Sequence, residues 1–290
     1  LVVLVKVAAT VALLLLGLAH RRVTLRRLAD GQRGAFVRLA SGEALIFAFT
    51  LGVATALGRV APPALGGPQT NAQTMLGFPM PPPITAGRVL LDWYPEPLFL
   101  GAAIAAVGAY LGGVIRLRRS GVRWPILRTL SWIGGWLIVA FAMGSGMARY
   151  APVLVTMHMA QHLLLAMYAA PLLVLAAPVT LALRALKPAP DPALPGPREA
   201  LLASIHSRYS KVVTNPVVAL VFFAGGTFAV FFSGLYEASL RHHTLHILVS
   251  AEFLIAGYFF YYSVVGIDPS PSKAPAALRL VVLLISTVAH

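Results

Sequence analysis

Long apolar runs separated by short polar segments make up most of the chain. A helix needs about 20 apolar residues to cross a bilayer. Runs of about that length fall at 1–19, 39–57, 98–115, 129–147, 156–183, 216–234 and 245–265, and an eighth starts near Leu278. Only 11% of the residues are charged, against roughly 25% in soluble proteins. The pattern predicts an all-α, polytopic membrane bundle of about seven complete or near-complete transmembrane helices plus a truncated eighth.

Positive charge is concentrated in alternate loops between these runs. Of the 23 Lys and Arg residues, 18 lie in the loops 20–38, 116–128, 184–215 and 266–279. The positive-inside rule places these four loops in the cytoplasm. The net charge of +14 is therefore a topology signal of a multi-pass protein in a lipid bilayer, and no nucleic-acid partner is expected.

Prolines cluster between positions 61 and 97, including three in a row from Pro81 to Pro83. Because proline lacks the helical hydrogen-bond donor and favours extended backbone, this density predicts an external linker without helix. The predicted organisation is two membrane helices within 1–60, the linker 61–97, and a helical bundle at 98–290. Since Leu1 and His290 both lie inside apolar runs, we expect the sequence to be part of a longer protein.

Two histidines and two methionines form the strongest candidate site. His158 and His162 lie four residues apart, a spacing that puts both imidazoles on one face of a helix. Met157 and Met159 flank His158. Two imidazoles with thioethers nearby form a soft donor set that suits copper, Cu(I) above all. The absence of cysteine excludes thiolate zinc sites and iron–sulfur clusters.

The predicted topology brings further histidines to the same side of the membrane. His246 lies at the start of the seventh apolar run. His290 lies about 18 Å along the eighth helix from Leu278, at about 1.5 Å per residue. Both are predicted as additional metal ligands, and the metal site is expected to face the extracytoplasmic side. His242 and His243 are expected in a solvated turn instead.

One acidic residue lies inside an apolar run. Ionisable groups within membrane spans are functional candidates. Glu252 is expected either to accept a hydrogen bond from an imidazole such as His246, or to pair with the hydroxyl of Ser250 or Tyr258.

Several motifs resemble one protein family. They are Asp92-Trp93-Tyr94-Pro95-Glu96-Pro97-Leu98, Arg123-Trp124-Pro125, Met157-His158-Met159-Ala160-Gln161-His162 and Gly266-Ile267-Asp268-Pro269. Together they closely resemble the CtaG family of cytochrome c oxidase assembly proteins. Residues 1–60 are similar to the last two helices of CopD-type copper-resistance membrane proteins. The resemblance implies copper handling in the bacterial plasma membrane during maturation of a haem–copper oxidase, with an oxidase subunit as the partner.

Three functions are compatible with these residues. The first is a copper-binding assembly factor without catalytic turnover, which holds copper at His158 and His162 and delivers it to the oxidase. The second is a membrane b-type cytochrome whose haem iron is held by two imidazoles, such as His162 and His246. The third is a copper transporter. An enzyme is not expected, because no nucleophile with a neighbouring base is found, and the sequence leaves a homo-oligomer open.

Overall fold

The computed structural model describes residues 79–189, 196–271 and 274–289, together with Gly17, Asn71 and Thr74. The chain divides into two units, Leu1–Gln69 and Thr70–His290, and the description below concerns the second. The apolar runs predicted at 1–19 and 39–57, and with them the CopD-like domain, lie outside the described residues. His290 also lies outside them. The division of the chain into three segments stays a prediction.

The described residues form a helical bundle, as the sequence predicts. Its helices are α1 (Ala86–Leu91), α2 (Pro97–Arg119), α3 (Ile126–Gly144), α4 (Gly146–Tyr150), α5 (Val155–Leu163), a π-helical turn (Leu164–Ala169), α6 (Ala170–Leu175), α7 (Pro178–Ala185), α8 (Pro197–Ile205), α9 (Arg208–Val213), α10 (Pro216–Phe231), α11 (Leu235–Arg241), α12 (His243–Val265) and α13 (Ala276–Ala289). This part of the chain contains no β-strand. An isolated bridge joins Trp93 to Ser145.

Four helical segments are long and apolar enough to cross a membrane. They are α2, α3, α12 and the run Val155–Ala185, which comprises α5, the π-helical turn, α6 and α7. α10 and α11 are bent by 69° relative to each other and provide a fifth span if they are counted together. α13 is apolar but shorter. The described residues therefore show four to five spans of a multi-pass membrane protein, and the larger total predicted from the sequence is not confirmed.

The run Val155–Ala185 is interrupted at two places, each next to a proline. Pro171 lacks the amide hydrogen that would bond to the preceding helical turn, and the π-helical turn lies directly before it. Ala177 adopts a left-handed conformation with φ of 50°, and Pro178 starts α7. The sequence predicts a kinked helix from these two prolines, and the structure shows the irregularities at both.

Polar side chains of α2 and the following loop satisfy the backbone at the break between α6 and α7. The hydroxyl of Tyr110 donates to the carbonyl of Ala176 at 2.8 Å. The same hydroxyl accepts a hydrogen bond from Trp124 Nε1 at 3.0 Å. Because hydrocarbon offers no water to an exposed carbonyl, this contact lets the helix break inside the bundle.

Asp268 caps the N-terminus of α7 from the loop after α12. Its carboxylate accepts from the amides of Val179 and Thr180 at 3.1 and 2.7 Å, and from the hydroxyl of Thr180 at 2.5 Å. The hydroxyl of Tyr262 donates to the carbonyl of Pro269 in the same loop at 2.6 Å. A carboxylate at this position satisfies free amides and complements the helix dipole. The start of α7 is thereby tied to the end of α12.

The segment 61–97 contains a helix, so the sequence-based exclusion of helix there is wrong. α1 occupies a proline-free stretch, and the hydroxyl of Thr85 caps it by accepting from the amide of Arg88 at 3.3 Å. The chain after α1 then runs along the end of α3, where the amide of Tyr94 donates to the carbonyl of Gly144 at 2.6 Å. This part of the predicted linker is packed on the bundle.

The π-helical turn lies between two hydrophobic cores. One core joins α10, α12 and α13 around Phe253 and Phe260. The other joins α2 and α3 to the turn around the fully buried Val139. α12 approaches so closely that a Cβ on Gly257 would lie 2.7 Å from the carbonyl oxygen of Ala166. The packing of glycine on backbone fixes α12 against the run that carries His158 and His162.

Candidate functional site

His158 and His162 face the interior of the bundle from α5. They lie on one side of the helix, about 5 and 10 Å along its axis from Val155. His158 is fully buried and His162 is 2% exposed. Their Nε2 atoms are 2.8 Å apart. The structure therefore brings the two imidazoles together as the spacing predicts, with one nitrogen of each directed at the other.

A single proton connects the two rings. At 2.8 Å the Nε2 atom of one imidazole donates and that of the other accepts, because two N–H groups or two lone pairs would repel. The Nδ1 atoms of His158 and His162 are buried without a hydrogen bond, although the backbone of Ala151 approaches His158. A buried polar atom without a partner costs about 1–3 kcal/mol. The pair thus has unused donor and acceptor capacity.

His246, near the start of α12, adjoins the pair. Its ring centroid lies 5.3 Å from that of His158 and 6.2 Å from that of His162. It is 8% exposed. The structure therefore gathers three of the histidines singled out from the sequence into one cluster, and the role of His246 as a metal ligand stays a prediction.

Gln161 connects His246 to α3. It is fully buried, and its Oε1 atom lies 3.1 Å from His246 Nε2. Its Nε2 atom donates to the carbonyl of Ala142 at 2.8 Å and contacts Met143 Sδ at 3.4 Å. Both hydrogens of the Gln161 NH2 group have acceptors, and the side-chain oxygen also has a partner. The Gln161 side chain is therefore held in one position.

Aromatic rings enclose the imidazoles. Phe253 stacks on His162 with 4.2 Å between ring centroids. Tyr236 meets His158 edge-on at 5.0 Å, and Phe231 lies 6.2 Å from the same ring. Tyr236 belongs to α11, which the 69° bend after α10 turns toward His158. The imidazole pair is therefore covered by hydrophobic side chains on this side.

A cavity of about 670 Å³ opens next to the cluster. Its lining includes Tyr94, Glu96, Met143, Arg149, His243 and His246. Pockets of about this size hold small molecules. His246 lines the cavity, whereas His158 and His162 do not. His246 is therefore the imidazole through which the cluster meets the cavity.

Charged side chains join the elements around the cavity. His243 is exposed, as the sequence predicts, and its Nε2 atom lies 3.0 Å from Glu96 Oε2. The guanidinium of Arg149 lies over the ring of Tyr94, 4.5 Å from its centroid, and bonds to the Tyr94 hydroxyl. These contacts link the segment that leads into α2 to the start of α12 and to α4.

The structure does not bring Met157 and Met159 to the imidazoles. Neighbouring positions on a helix point about 100° apart. Met157 lines a separate cavity with Ile84 and Leu90, and Met159 is 38% exposed. The thioether that lies next to the cluster is instead that of Met143 in α3.

Glu252 makes none of the contacts expected from the sequence. Its carboxylate packs against Gly226 of α10, and both its Oε2 atom and the Ser250 hydroxyl are buried without a hydrogen bond. His246 takes Gln161 as its partner. Six residues along a helix correspond to about 240° of rotation, so positions 246 and 252 face different neighbours and the expected pairing is wrong.

Gln161 and Met143 are site residues that sequence reasoning did not select. Gln161 follows His158 by three residues, a spacing that places both on one helical face, and this was the available signal. Met143 and the ring of Tyr236 come from other helices. Their contacts with the cluster depend on how α3 and α11 pack on α5, which the periodicity of the sequence does not reveal.

Among the described residues, no group of three or more His, Cys, Asp or Glu side chains is arranged to hold a metal ion. His246 Nε2 is directed at Gln161, so the three imidazoles do not converge on one point. The Nε2 atoms of His162 and His246 are directed at His158 and Gln161, and haem ligation by His162 and His246 stays a prediction.

The spans and the buried imidazole cluster define a polytopic membrane protein with a polar site enclosed between its helices. Residues 108–290 match the family described as cytochrome c oxidase caa3 assembly factor, Caa3_CtaG. The chain belongs to this family, a family of assembly factors. The CtaG part of the resemblance is thereby confirmed, and the CopD-type part is not shown.

Three mycobacterial proteins are similar to the chain over 211 residues, which are 73% of the chain and 32% of each relative. They are "Uncharacterized protein ML1998" of Mycobacterium leprae, 36% identical, "Uncharacterized protein Mb0105" of Mycobacterium bovis, 37% identical, and "Uncharacterized protein MT0111" of Mycobacterium tuberculosis, 37% identical. The chain thus spans about a third of the length of the curated relatives it matches. No solved structure matches it.

Proposed function

We propose that the chain is the copper-binding part of a membrane assembly factor that delivers copper to a haem–copper cytochrome c oxidase during maturation. The observation that carries the proposal is the buried pair His158 and His162, whose Nε2 atoms lie 2.8 Å apart inside a membrane span. Membership of the Caa3_CtaG family provides the process, which is oxidase assembly.

The donor chemistry of the pair supports copper as the cargo. Imidazole nitrogen suits copper, and a thioether in the same region favours Cu(I). Met143 Sδ lies within 3.4 Å of Gln161 Nε2, beside the imidazoles. A cargo ion must later be released to the oxidase, so a site with few ligands fits delivery without catalytic turnover. The unpaired Nδ1 atoms of the pair indicate a site that has capacity for a further partner.

The distribution of charge supports a site that faces out of the bacterial plasma membrane. α2 runs from Glu96 at the cavity to Arg119 at its other end. The loop 116–128 therefore lies at the end of the bundle opposite to His158, together with the turns that follow α7 and α12. Because these loops carry most of the positive charge, the positive-inside rule puts the cavity on the extracytoplasmic side.

Replacement of both His158 and His162 by Gln in the intact protein tests the proposal. Gln keeps polarity and approximate size, so we expect normal protein abundance with loss of bound Cu(I) and a fall in oxidase copper content and activity. The matched control is His206→Gln with His242→Gln, because both side chains are exposed. Full oxidase copper in cells that carry only the His158→Gln, His162→Gln protein would refute the proposed function.

A further inference from the structure

We infer that His246 is the first copper ligand reached from the cavity, and that Gln161 prepares it by fixing the proton on His246 Nε2. The inference rests on the proposed copper function and adds a route to it. Copper passes from the cavity to Nδ1 of His246 and then to the pair formed by His158 and His162. Gln161 is a positioning residue in this route.

The side-chain amide of Gln161 has one orientation available. The carbonyl oxygen of Ala142 can only accept, so the amide group 2.8 Å from it must be the NH2. The second hydrogen of this group is directed at Met143 Sδ at 3.4 Å, a weak acceptor. The atom that faces His246 is therefore the carbonyl oxygen Oε1, and the assignment depends on the backbone of α3.

This orientation determines the tautomer of His246. Oε1 of Gln161 can only accept, so His246 Nε2, 3.1 Å away, carries the proton. A neutral imidazole with its proton on Nε2 has its lone pair on Nδ1. Histidines that bind metals commonly donate their other N–H to a carbonyl oxygen, which orients the ring. Gln161 provides such an oxygen through its side chain.

His246 is the imidazole of the cluster that lines the cavity, and Nδ1 is the ring nitrogen that Gln161 leaves free. The Nδ1 atoms of His158 and His162 are buried without a hydrogen bond, and neither residue lines the cavity. Exposure falls from 8% for His246 to 2% for His162 and 0% for His158. An ion that arrives from the cavity therefore meets His246 before the pair.

Hand-over from His246 to the pair requires no large movement. The His246 ring centroid is 5.3 Å from that of His158, so the two rings are in contact. Met143 lines the cavity next to His246 and offers a thioether on the same path. Phe231 and Tyr236 cover His158 on another side, so the pair is shielded there.

The tautomer is measured directly by long-range ¹H–¹⁵N NMR on the metal-free intact protein labelled with ¹⁵N-histidine. In the wild type, His246 should carry its proton on Nε2. Gln161→Met removes the acceptor and should give a mixture of tautomers. Met143→Leu is the control, because the carbonyl of Ala142 still orients the Gln161 amide in this variant. The spectrum of the Met143→Leu protein should match that of the wild type. A wild-type proton on Nδ1 of His246 would overturn the inference, even if the Gln161 variant fails to fold.

The route is tested by the rate at which Cu(I), supplied as its bicinchoninate complex, loads the protein. His246→Ala should slow loading about tenfold or more, the scale on which residues around a metal ligand act, and leave the final copper content unchanged. Loading at the wild-type rate contradicts the inference alone. Retention of copper by the His158→Gln, His162→Gln protein contradicts the proposed function instead, so the two failures are distinguishable.

Discussion

Buried polar side chains of this bundle differ in how fully they are paired. Tyr110 both donates and accepts, and Gln161 engages its oxygen and its NH2 group. The Nδ1 atoms of His158 and His162 make no hydrogen bond. Hydrocarbon supplies no water to such atoms, so they are costly to retain. The paired residues stabilise the fold, and the unpaired ones mark the place where a ligand is expected.

Tyr110→Phe should destabilise the protein. The change leaves the carbonyl of Ala176 without its donor and Trp124 Nε1 without its acceptor, which should lower the free energy of unfolding by about 1–3 kcal/mol. Tyr209→Phe is the control, because Tyr209 is 78% exposed. Unfolding curves in detergent measure both, and equal midpoints for the two variants would contradict the structural role of Tyr110.

At the scale of elements, the loops that cap helices help to stabilise the bundle, as the helices do. α7 begins immediately after a left-handed residue, Ala177, and its first amides are satisfied by Asp268 from a distant loop. The capping loop belongs to the motif Gly266-Ile267-Asp268-Pro269 that the sequence analysis noted for its family resemblance. The structure gives this motif a physical role, which is to fasten α12 to α7.

Asp268→Ala should therefore loosen α7. Loss of the carboxylate removes the acceptor for the amides of Val179 and Thr180, with an expected cost of about 1–2 kcal/mol in the free energy of unfolding. Asp268→Asn keeps one acceptor oxygen and should cost less. Hydrogen exchange of the α7 amides should rise in the Ala variant, and an exchange rate unchanged from the wild type would show that the cap is dispensable.

Sequence patterns located the long elements but not the irregular ones. The apolar runs at 98–115, 129–147 and 245–265 overlap α2, α3 and α12, because the bilayer sets the length of a spanning helix. The sequence does not predict α1, because the prolines on either side of this short proline-free stretch indicate extended backbone. The apolar run 216–234 predicts one span there and does not reveal the 69° bend between α10 and α11. The bend places α11 over His158, a contact that depends on tertiary packing.

At the scale of the whole described bundle, within the unit Thr70–His290, the histidine cluster and the positively charged loop 116–128 lie at opposite ends. Single cysteines at Ser120 and at Ser233 test the orientation, because the chain has no native cysteine and both side chains are exposed. An impermeant thiol reagent added outside the cell should label the cysteine at position 233 and not the one at position 120. Labelling of the cysteine at position 120 from outside the cell would contradict the proposed topology.

The 2.8 Å contact between the two Nε2 atoms has an electrical consequence. Burial without a counter-charge keeps His158 and His162 neutral, so the pair holds two protons, one of them between the rings. When both Nε2 atoms bind a monovalent ion, the shared proton moves to the vacant Nδ1 of its own ring, and none is released. Loading then adds one positive charge within the membrane, where a full crossing corresponds to about 2.3 kcal/mol per 100 mV. Under the proposed function, uptake of Cu(I) by this pair should therefore respond to the membrane voltage and not to the proton concentration difference across the membrane.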